Sequence, residues 1–364
     1  MHRSPLRVAI DVSSAVDPRP TGIARTITGL VTGLQAHPGV ELTLLCRSSR
    51  WRRARPTALF PGLPVRRWLD LGTPRGVDLL HSPDLRVPRR CRVPLVVTVH
   101  DLSALERSDH ASSRFIAKKR ARLDRAGRSA DALLTSCASV RDDLIERLGL
   151  PPERVTAVPL WPGLPRGETP TLPPDSPARR ELLLVGGPSR RKRSDWIAGF
   201  LPRWDRLTGL TEERVLWCGS AAESEARAFL ASLPREIAAR IDWLGHITDA
   251  ELDRLLGRAR AFLQLSDTEG FGIPLLEAAM RDCPIIATRC ATAEEVLPAD
   301  AVLWLDGEAG ERGLEDWGSP EDRRARGERA RAAAGRYTRE RTVEGTLAIY
   351  RRVLSSSGAS ASAG

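Results

Sequence analysis

The sequence predicts an α/β protein made of two doubly wound, Rossmann-like domains. Three observations carry this prediction: the length of 364 residues, apolar runs that alternate with helical patterns, and a proline-rich segment near the middle of the chain. The length is about twice the usual size of one domain. Hydrophobic residues make up 41% and charged residues 28%, which excludes a largely disordered or fibrous chain.

Short apolar runs mark the expected strands in order. The first half contains LRVAID, VELTLLC, VDLLHS, VPLVVTVH, DALLTS and RVTAVP, and the second half contains ELLLVGG, RVLWCG, ARAFLQLS, CPIIAT and AVLWLD. Runs of Val, Leu and Ile without alternation are typical of parallel strands buried on both faces. Because helical patterns separate them, we expect βα units in each half.

The domain boundaries follow from composition. Residues 161–180 contain six prolines and two glycines, which indicates an interdomain linker. We predict an N-terminal domain over 1–165, a linker over 166–180 and a C-terminal domain over 181–337. The low-complexity tail, 355–364, is expected to be disordered. Two sheets joined in this way place a cleft at the carboxyl ends of their strands.

Cysteine usage and hydropathy indicate the compartment. The six cysteines are scattered without a Cys-x-x-Cys pair, which favours buried thiols in a reducing compartment. The first apolar stretch is too short for a signal peptide, and no apolar run approaches about 18 residues. We expect a cytoplasmic protein, either free or peripheral on the inner face of the cell membrane.

The most informative segment is SDTEGFGIPLLEAAMRDCPIIAT, residues 266–288. A strand leads into a Gly-rich turn and then into a helix, whose backbone N–H groups can approach an anion or a hydroxyl. Glu277 follows Glu269 by eight residues and is expected about one turn into the helix, so both carboxylates can accept from the hydroxyls of one sugar. For an isolated acidic residue, a favourable interaction with the helix dipole is the alternative. The residues of the turn are Glu269, Gly270, Phe271 and Gly272, and Ile273 follows them.

This segment resembles the Glu, seven residues, Glu signature of retaining GT-B glycosyltransferases of the glycogen-synthase-like superfamily, also called group 1 or family four. Other motifs follow in the family's order: RPTGIART (19–26), VPLVVTVHD (93–101) and LLLVGGPSRRKRSD (182–195). The resemblance implies the GT-B fold, with a C-terminal helix over 338–354 that crosses back to the first domain. It implies transfer of a hexose from a nucleotide-diphosphate sugar to an acceptor hydroxyl, with retention.

The resemblance also implies roles for residues of the N-terminal, acceptor-binding domain. Gly22 lies in the Gly-rich loop that approaches the donor diphosphate. His100 and Asp101 lie at the cleft, with His100 near the anomeric carbon of the donor sugar. A lone histidine at a strand end is more often a satisfied polar residue, but a place at the carboxyl end of a parallel strand favours a role at the cleft.

In the C-terminal domain, the resemblance assigns Arg191 and Lys192 to the donor diphosphate, and Glu269 with the backbone of Gly270, Phe271, Gly272 and Ile273 to the hexose. Glu277 is assigned to the ribose side. Without a metal, the charge of a departing diphosphate is met by Arg, Lys and helix N-termini. The chain contains no Asp-x-Asp motif, so we expect no cofactor and no divalent cation.

Some positions depart from the family pattern. Asp282 stands where the family has Gly after the helix, and Asp tolerates a left-handed cap better than most residues. Arg193 stands at the position of a family Asn, which bears on donor identity. Within the superfamily, EGFGIPLLEA and VTVHDL most resemble mannosyltransferases that use GDP-mannose in cell-surface polysaccharide or glycolipid assembly.

The net charge of +10 is divided unequally, with +13 on residues 1–180 and −3 on the rest. We name residues 47–68 the first basic cluster and residues 113–128 the second basic cluster. Two interpretations stay open: solvated surfaces, or docking on an anionic membrane surface or lipid-linked glycan. In the second interpretation, the interfacial anchors are Trp51, Phe60 and Trp68.

Two other functions are alternatives to an enzyme. The same basic clusters are compatible with nucleic acid binding, but no recognised module accompanies them, and we expect no nucleic acid partner. A catalytically silent homologue that binds sugar nucleotides is the second alternative. The presence of His100, Lys192, Glu269 and Glu277 argues against it.

Overall fold

The computed structural model of the protein describes residues 4–17, 20–54, 56–102, 105, 113–164, 167, 171–173, 176–188, 192–307 and 312–361. The chain forms two compact units. Unit 1 comprises Met1–Gly163 and Tyr337–Gly364, and unit 2 comprises Leu164–Arg336. Each unit contains one parallel sheet with helices between its strands, so the predicted pair of Rossmann-like domains is confirmed.

Unit 1 alternates strands and helices along the chain. Its strands are β1 (Leu6–Asp11), β2 (Val40–Arg47), β3 (Val65–Trp68), β4 (Leu79–Ser82), β5 (Leu95–Val99), β6 (Ala132–Thr135) and β7 (Val155–Ala157). Its helices up to this point are α1 (Gly22–Gln35), α2 (Ser48–Ala54), α3 (Pro56–Leu59), α4 (Ser113–Ser129) and α5 (Ala138–Leu148). The strand order is β3-β2-β1-β4-β5-β6-β7. Because the order reverses between β1 and β4, a crevice forms at the carboxyl ends of these two strands.

Unit 2 repeats the arrangement. Its strands are β8 (Leu182–Val185), β9 (Val215–Cys218), β10 (Ile241–Gly245), β11 (Ala261–Gln264), β12 (Ile285–Thr288) and β13 (Leu303–Leu305). Its helices are α6 (Ile197–Thr208), α7 (Glu223–Ala231), α8 (Arg235–Ala238), α9 (Asp249–Leu256), α10 (Ile273–Met280), α11 (Ala291–Val296) and α12 (Pro320–Ala334). The strand order is β10-β9-β8-β11-β12-β13, so the corresponding crevice lies at the carboxyl ends of β8 and β11.

The last helix, α13 (Arg339–Ala361), packs against α1 in unit 1. The contact is close because Gly33 has no side chain: a Cβ there would lie 2.5 Å from Val343 Cγ2. Tyr350 of α13 is fully buried. The helix continues past residue 354, although the sequence predicts disorder from 355 onward. The Ser355 hydroxyl donates to the Arg352 carbonyl at 2.7 Å, a bond that turns a polar tail residue back onto the helix.

The proline-rich segment does not form the predicted linker over 166–180. The described part of this segment packs on unit 2, where the Leu172 N–H donates to the Gly257 carbonyl at 2.9 Å. Arg179 is fully buried, and its guanidinium donates to several backbone carbonyls, including that of Pro173 at 3.0 Å. Proline supplies no N–H for a sheet or helix, but its carbonyls still accept from a buried Arg.

Two of the three aromatic residues that were expected to be membrane anchors are buried in unit 1. Phe60 is 4% exposed and Trp68 is 6% exposed, and both belong to the buried residues of unit 1. The Trp68 indole N–H donates to the Gly72 carbonyl at 2.8 Å. Trp51 packs against the core of the same unit. The prediction was wrong because an aromatic residue inside a basic stretch has the same sequence pattern whether it faces the core or the solvent.

Within the described ranges, no helix is both long enough and apolar enough to cross a membrane.

Candidate functional site

The Gly-rich turn after β11 is held in place by two threonines. The Thr288 hydroxyl at the end of β12 accepts from the Ser266 N–H at 2.8 Å and donates to the Ser266 carbonyl at 2.7 Å. The Thr292 hydroxyl on α11 donates to the Glu269 carbonyl at 2.9 Å. The position of the Glu269 side chain therefore depends on the neighbouring strand and helix as well as on its own loop.

Helix α10 begins where the sequence predicts. Gly272 is its N-cap with a φ of +75°, a left-handed conformation that favours glycine. Glu277 lies on this helix and is 1% exposed. Asp282, just after the helix, has a φ of +50°, so the expectation that it adopts the left-handed conformation of the family's Gly is confirmed.

Lys192 and Glu269 form an ion pair although 77 residues separate them. Lys192 Nζ lies 2.5 Å from Glu269 Oε1, and the two side chains are 17% and 8% exposed. Gly186, directly after β8, has a φ of +125°, and a Cβ there would lie 3.2 Å from Lys192 Cε. The loops after β8 and β11 are thus joined at the point where the strand order of unit 2 reverses.

A small pocket opens between these loops. Its polar lining includes Gln264 and Ser266, which are 3% and 1% exposed. The Gln264 amide oxygen and nitrogen and the Ser266 hydroxyl have no hydrogen-bond partner among the described residues. A buried polar atom without a partner costs about 1–3 kcal/mol. Such atoms at the carboxyl end of a parallel strand indicate a ligand or water that completes their hydrogen bonds.

The basic residues before α6 have separate environments. Arg193 has a φ of +42°, pairs with Asp267 at 2.9 Å and lies over the Trp196 ring at 4.0 Å. Its guanidinium therefore stabilises the loop after β11 through the ion pair with Asp267. Arg191, predicted to bind the donor diphosphate, lies outside the described residues, and its role stays a prediction.

In unit 1, the predicted site residues follow the central strands of the sheet. Gly22 begins α1, where the Thr21 hydroxyl caps the helix by accepting from the Ala24 N–H at 3.4 Å. His100 Nε2 donates to the Pro83 carbonyl at 2.7 Å. Asp101 pairs with Lys119 at 2.7 Å, so the Asp101 carboxylate neutralises a lysine of the second basic cluster. The roles assigned to these residues stay predictions.

A buried polar cluster lies beside His100. His81 is fully buried, and its Nδ1 and Nε2 are hydrogen-bonded to the Tyr350 hydroxyl at 2.7 Å and to the Thr98 hydroxyl at 2.9 Å. Burial, and secondarily the charge of His100, lowers the pKa of His81 from 6.5 to about 3. A neutral imidazole with one donor and one acceptor suits this pair of hydroxyls. The cluster joins β4, β5 and the last helix.

Within the part of the chain that the structure describes, no group of three or more His, Cys, Asp or Glu residues is arranged to hold a metal ion. The six cysteines are free thiols. Burial raises the pKa of Cys46 and of Cys283 to about 11, so both thiols are protonated at neutral pH. The predicted buried thiols are confirmed for these positions.

The fold and this site define the class of protein. The family described as Glycosyltransferase Family 4 matches residues 20–161, and the family described as Glycosyl transferases group 1 matches residues 211–309. The first match covers most of unit 1, and the second includes β11, the Gly-rich turn and α10. The chain is a member of the group 1 glycosyltransferase superfamily, and its two parallel-sheet domains form the GT-B fold.

Similar proteins include several glycosyltransferases. The chain is 26% identical to O-antigen chain mannosyltransferase B of Escherichia coli over 63% of this chain and 61% of that protein. It is 28% identical to glycogen synthase of Mycobacterium tuberculosis over 60% of this chain and 54% of that protein. The matches thus span between half and two thirds of these relatives. A sucrose-phosphate synthase structure from Thermosynechococcus elongatus superposes with a TM-score of 0.70, 15% identity and coverage of 97% of this chain and 100% of that one.

Sequence reasoning missed the residues that support the site. Thr288 and Thr292 position the turn, and Gln264 lines the pocket. One signal was available: ARAFLQLS has a single amide in an otherwise apolar strand, and such a residue in a buried strand needs a partner. The threonines gave no signal, because Thr is common in strands and at helix starts.

The buried histidine gives a testable pH dependence. Between pH 6.5 and about 3, the unfolded chain binds a proton that native His81 does not, so the free energy of unfolding should fall as the pH falls through this range. The contribution is at most about 1.4 kcal/mol per pH unit. Urea unfolding over this range should show a shallower decline for His81→Gln than for the wild type. The exposed His246→Gln is the control; equal slopes in His81→Gln and wild type would contradict the assignment.

Proposed function

We propose that the protein transfers a hexosyl group from a nucleotide-diphosphate sugar to an acceptor hydroxyl, with retention at the anomeric carbon. The observation that carries the proposal is the ion pair between Lys192 and Glu269 at the crevice of unit 2. Membership of the superfamily supports the reaction class, since both groups are the ones that the family pattern assigns to a donor. The chain's likeness to a mannosyltransferase supports mannose from GDP-mannose as the first donor to test.

In this proposal, the donor replaces the ion pair. The diphosphate accepts from the Lys192 ammonium, because a dianion attracts a compact cation more strongly than one carboxylate does. Glu269 is then released and accepts from hydroxyls of the hexose. The low exposure of both side chains strengthens these contacts, because electrostatic interactions grow as water is excluded.

The remaining groups orient the donor. The Gln264 amide and the Ser266 hydroxyl, which have unmet hydrogen-bonding capacity within the described chain, complete their bonds with the donor or with a water that it holds. Glu277 faces the ribose side in the family pattern, and its nearly complete burial fixes its position. The backbone N–H groups at the start of α10 add positive potential.

The bond changes require no nucleophile from the protein. The bond between the anomeric carbon and the phosphate oxygen breaks, and the acceptor oxygen bonds to the same face of that carbon. The acceptor proton passes to the leaving phosphate oxygen. Lys192 stabilises the charge that develops on the diphosphate, so we propose that turnover needs no divalent cation.

Removing the charged groups should abolish most turnover. Lys192→Ala and Glu277→Ala should each reduce the release of GDP from GDP-mannose by about a hundredfold, the scale of one lost electrostatic contact to the transition state. UDP-glucose and ADP-glucose are assayed in parallel, each with and without EDTA.

Arg227→Ala is the matched control, because Arg227 is 77% exposed and pairs only with Glu223 on its own helix among the described residues. Its rate should equal that of the wild type. Near-wild-type rates in both site variants would refute the site assignment, and loss of activity in EDTA would refute the metal-free reaction.

Replacing Gln264 should make the protein more stable and weaken donor binding. Gln264→Leu removes two buried atoms without hydrogen-bond partners, so the free energy of unfolding should rise by about 1 kcal/mol. The affinity for the nucleotide sugar should fall about tenfold, because the ligand loses its bonds to the amide. Urea unfolding and titration calorimetry measure the two effects.

The exposed Gln35→Leu, on α1 in unit 1, is the matched control and should change neither quantity. A loss of stability in Gln264→Leu with unchanged donor affinity would mean that the amide is structural.

A further inference from the structure

Unit 1 contains a strongly basic pocket that is separate from the proposed donor site in unit 2. Among the described residues, its lining contains one carboxylate, Asp70. The pocket lies at the carboxyl edge of the sheet, beside the residues that follow β2, β3 and β4 and one face of α4. The cationic side chains of the lining are Arg47, Arg86, Arg89, Lys118, Arg122 and Arg125.

The fold brings the two basic clusters together at this pocket. Arg47 belongs to the first basic cluster, and Lys118 and Arg122 belong to the second. Arg86 comes from neither, since it follows β4. Residues far apart in sequence therefore place their charges on one concave surface. If these side chains were only solvated surface residues, they would have no reason to converge in this way.

The charges in the pocket are only partly compensated. Arg47 pairs with Asp70 at 2.7 Å, and Arg86 lies 3.9 Å from Asp84. No ion pair joins Lys118 or Arg122 to a described residue. Arg86 is 15% exposed in its side chain, and its Nε has no hydrogen-bond partner in the described chain. Burial, and then the charge of Arg47, lowers the pKa of Arg86. Mutual repulsion of this kind is relieved by a bound anion.

The loops that form the pocket hold an unfavourable backbone conformation. Asp70 has a φ of +59° and Leu85 a φ of +48°, although neither residue is glycine. The Arg89 N–H donates to the Asp70 carbonyl at 2.9 Å, which joins the two loops. Backbone strain that the surroundings maintain is most frequent where a ligand is clamped.

The rim of the pocket is apolar. Leu69 is 64% exposed and Leu71 is 55% exposed, and both line the same pocket. Two exposed leucines beside a group of cations suit a ligand that has a phosphate at one end and a hydrocarbon chain at the other.

We propose that this pocket binds the phosphate of a phosphorylated lipid. The arginines bind the phosphate oxygens through paired N–H groups, which a guanidinium presents in a planar fork. Leu69 and Leu71 contact the first carbons of the lipid chain.

The experiment compares two double variants of one helix. Lys118→Gln with Arg122→Gln removes two charges that line the pocket. Arg120→Gln with Arg128→Gln removes two charges from exposed positions of α4 outside it, so both proteins have the same net charge. Binding is measured to phosphatidylcholine vesicles that contain phosphatidic acid, with pure phosphatidylcholine vesicles as the blank. Glycerol 3-phosphate is the soluble arm, and GDP binding reports an intact unit 2.

The wild type should bind the phosphatidic acid vesicles, and the pocket variant should bind them at least about tenfold more weakly, the scale of one or two lost charge-assisted hydrogen bonds. The control variant should retain wild-type binding within about twofold, as expected for exposed charges. Both variants should bind GDP as the wild type does. Glycerol 3-phosphate should bind more weakly than the vesicles, because it lacks the chain that contacts the leucines.

Equal losses in both variants would overturn the pocket in favour of a diffuse basic surface. Equal binding of glycerol 3-phosphate and vesicles would overturn the lipid assignment, and so would no binding by the wild type. These outcomes are independent of glycosyl transfer. If the pocket variant loses lipid binding but no protein turns over a donor, the proposed function is wrong and the phosphate pocket is supported.

Discussion

The ion pair between Lys192 and Glu269 is the interaction on which the candidate site of unit 2 depends. It joins the loops after β8 and β11, the two adjacent strands at which the strand order reverses. Both side chains are mostly buried, and breaking such a pair by removing one partner leaves an uncompensated charge, which is strongly destabilising. A donor diphosphate can take the lysine without that penalty, because it supplies a replacement anion. The pair therefore joins the two loops, and in the proposed reaction its lysine supplies the positive charge that binds the diphosphate.

The surroundings of this pair combine firm support with unmet bonding capacity. Thr288 and Thr292 fix the backbone that carries Glu269, while Gln264 and Ser266 keep polar atoms without partners in the described chain. The first feature stabilises the loop, and the second lowers the stability of the protein. Binding sites commonly retain such a local cost, because the same atoms gain full hydrogen bonds only when the ligand is present. In unit 1, the partly compensated cations of the basic pocket and the left-handed backbone of Asp70 and Leu85 are a similar local cost.

The sequence predicted the central strands because both of their faces are buried and their residues form continuous apolar runs. It missed β3 and β10, one of the two edge strands of each sheet, because VRRW and IDWLG mix charged and apolar residues. The Glu269 turn was predictable from local spacing, whereas its pairing with Lys192 depends on which strands become neighbours. The buried Phe60 and Trp68 show the same limit, since the direction in which an aromatic side chain points is set by tertiary packing.

In the proposed reaction, Lys192 binds the β-phosphate of the donor. Titration calorimetry of GDP and GMP with the wild type and with Lys192→Gln tests it directly. The wild type should bind GDP at least about tenfold more tightly than GMP, because the additional phosphate gains a charge-assisted hydrogen bond. In Lys192→Gln this preference should fall to about twofold or less. The same preference for GDP in both proteins would contradict the account, as would equal binding of GDP and GMP by the wild type.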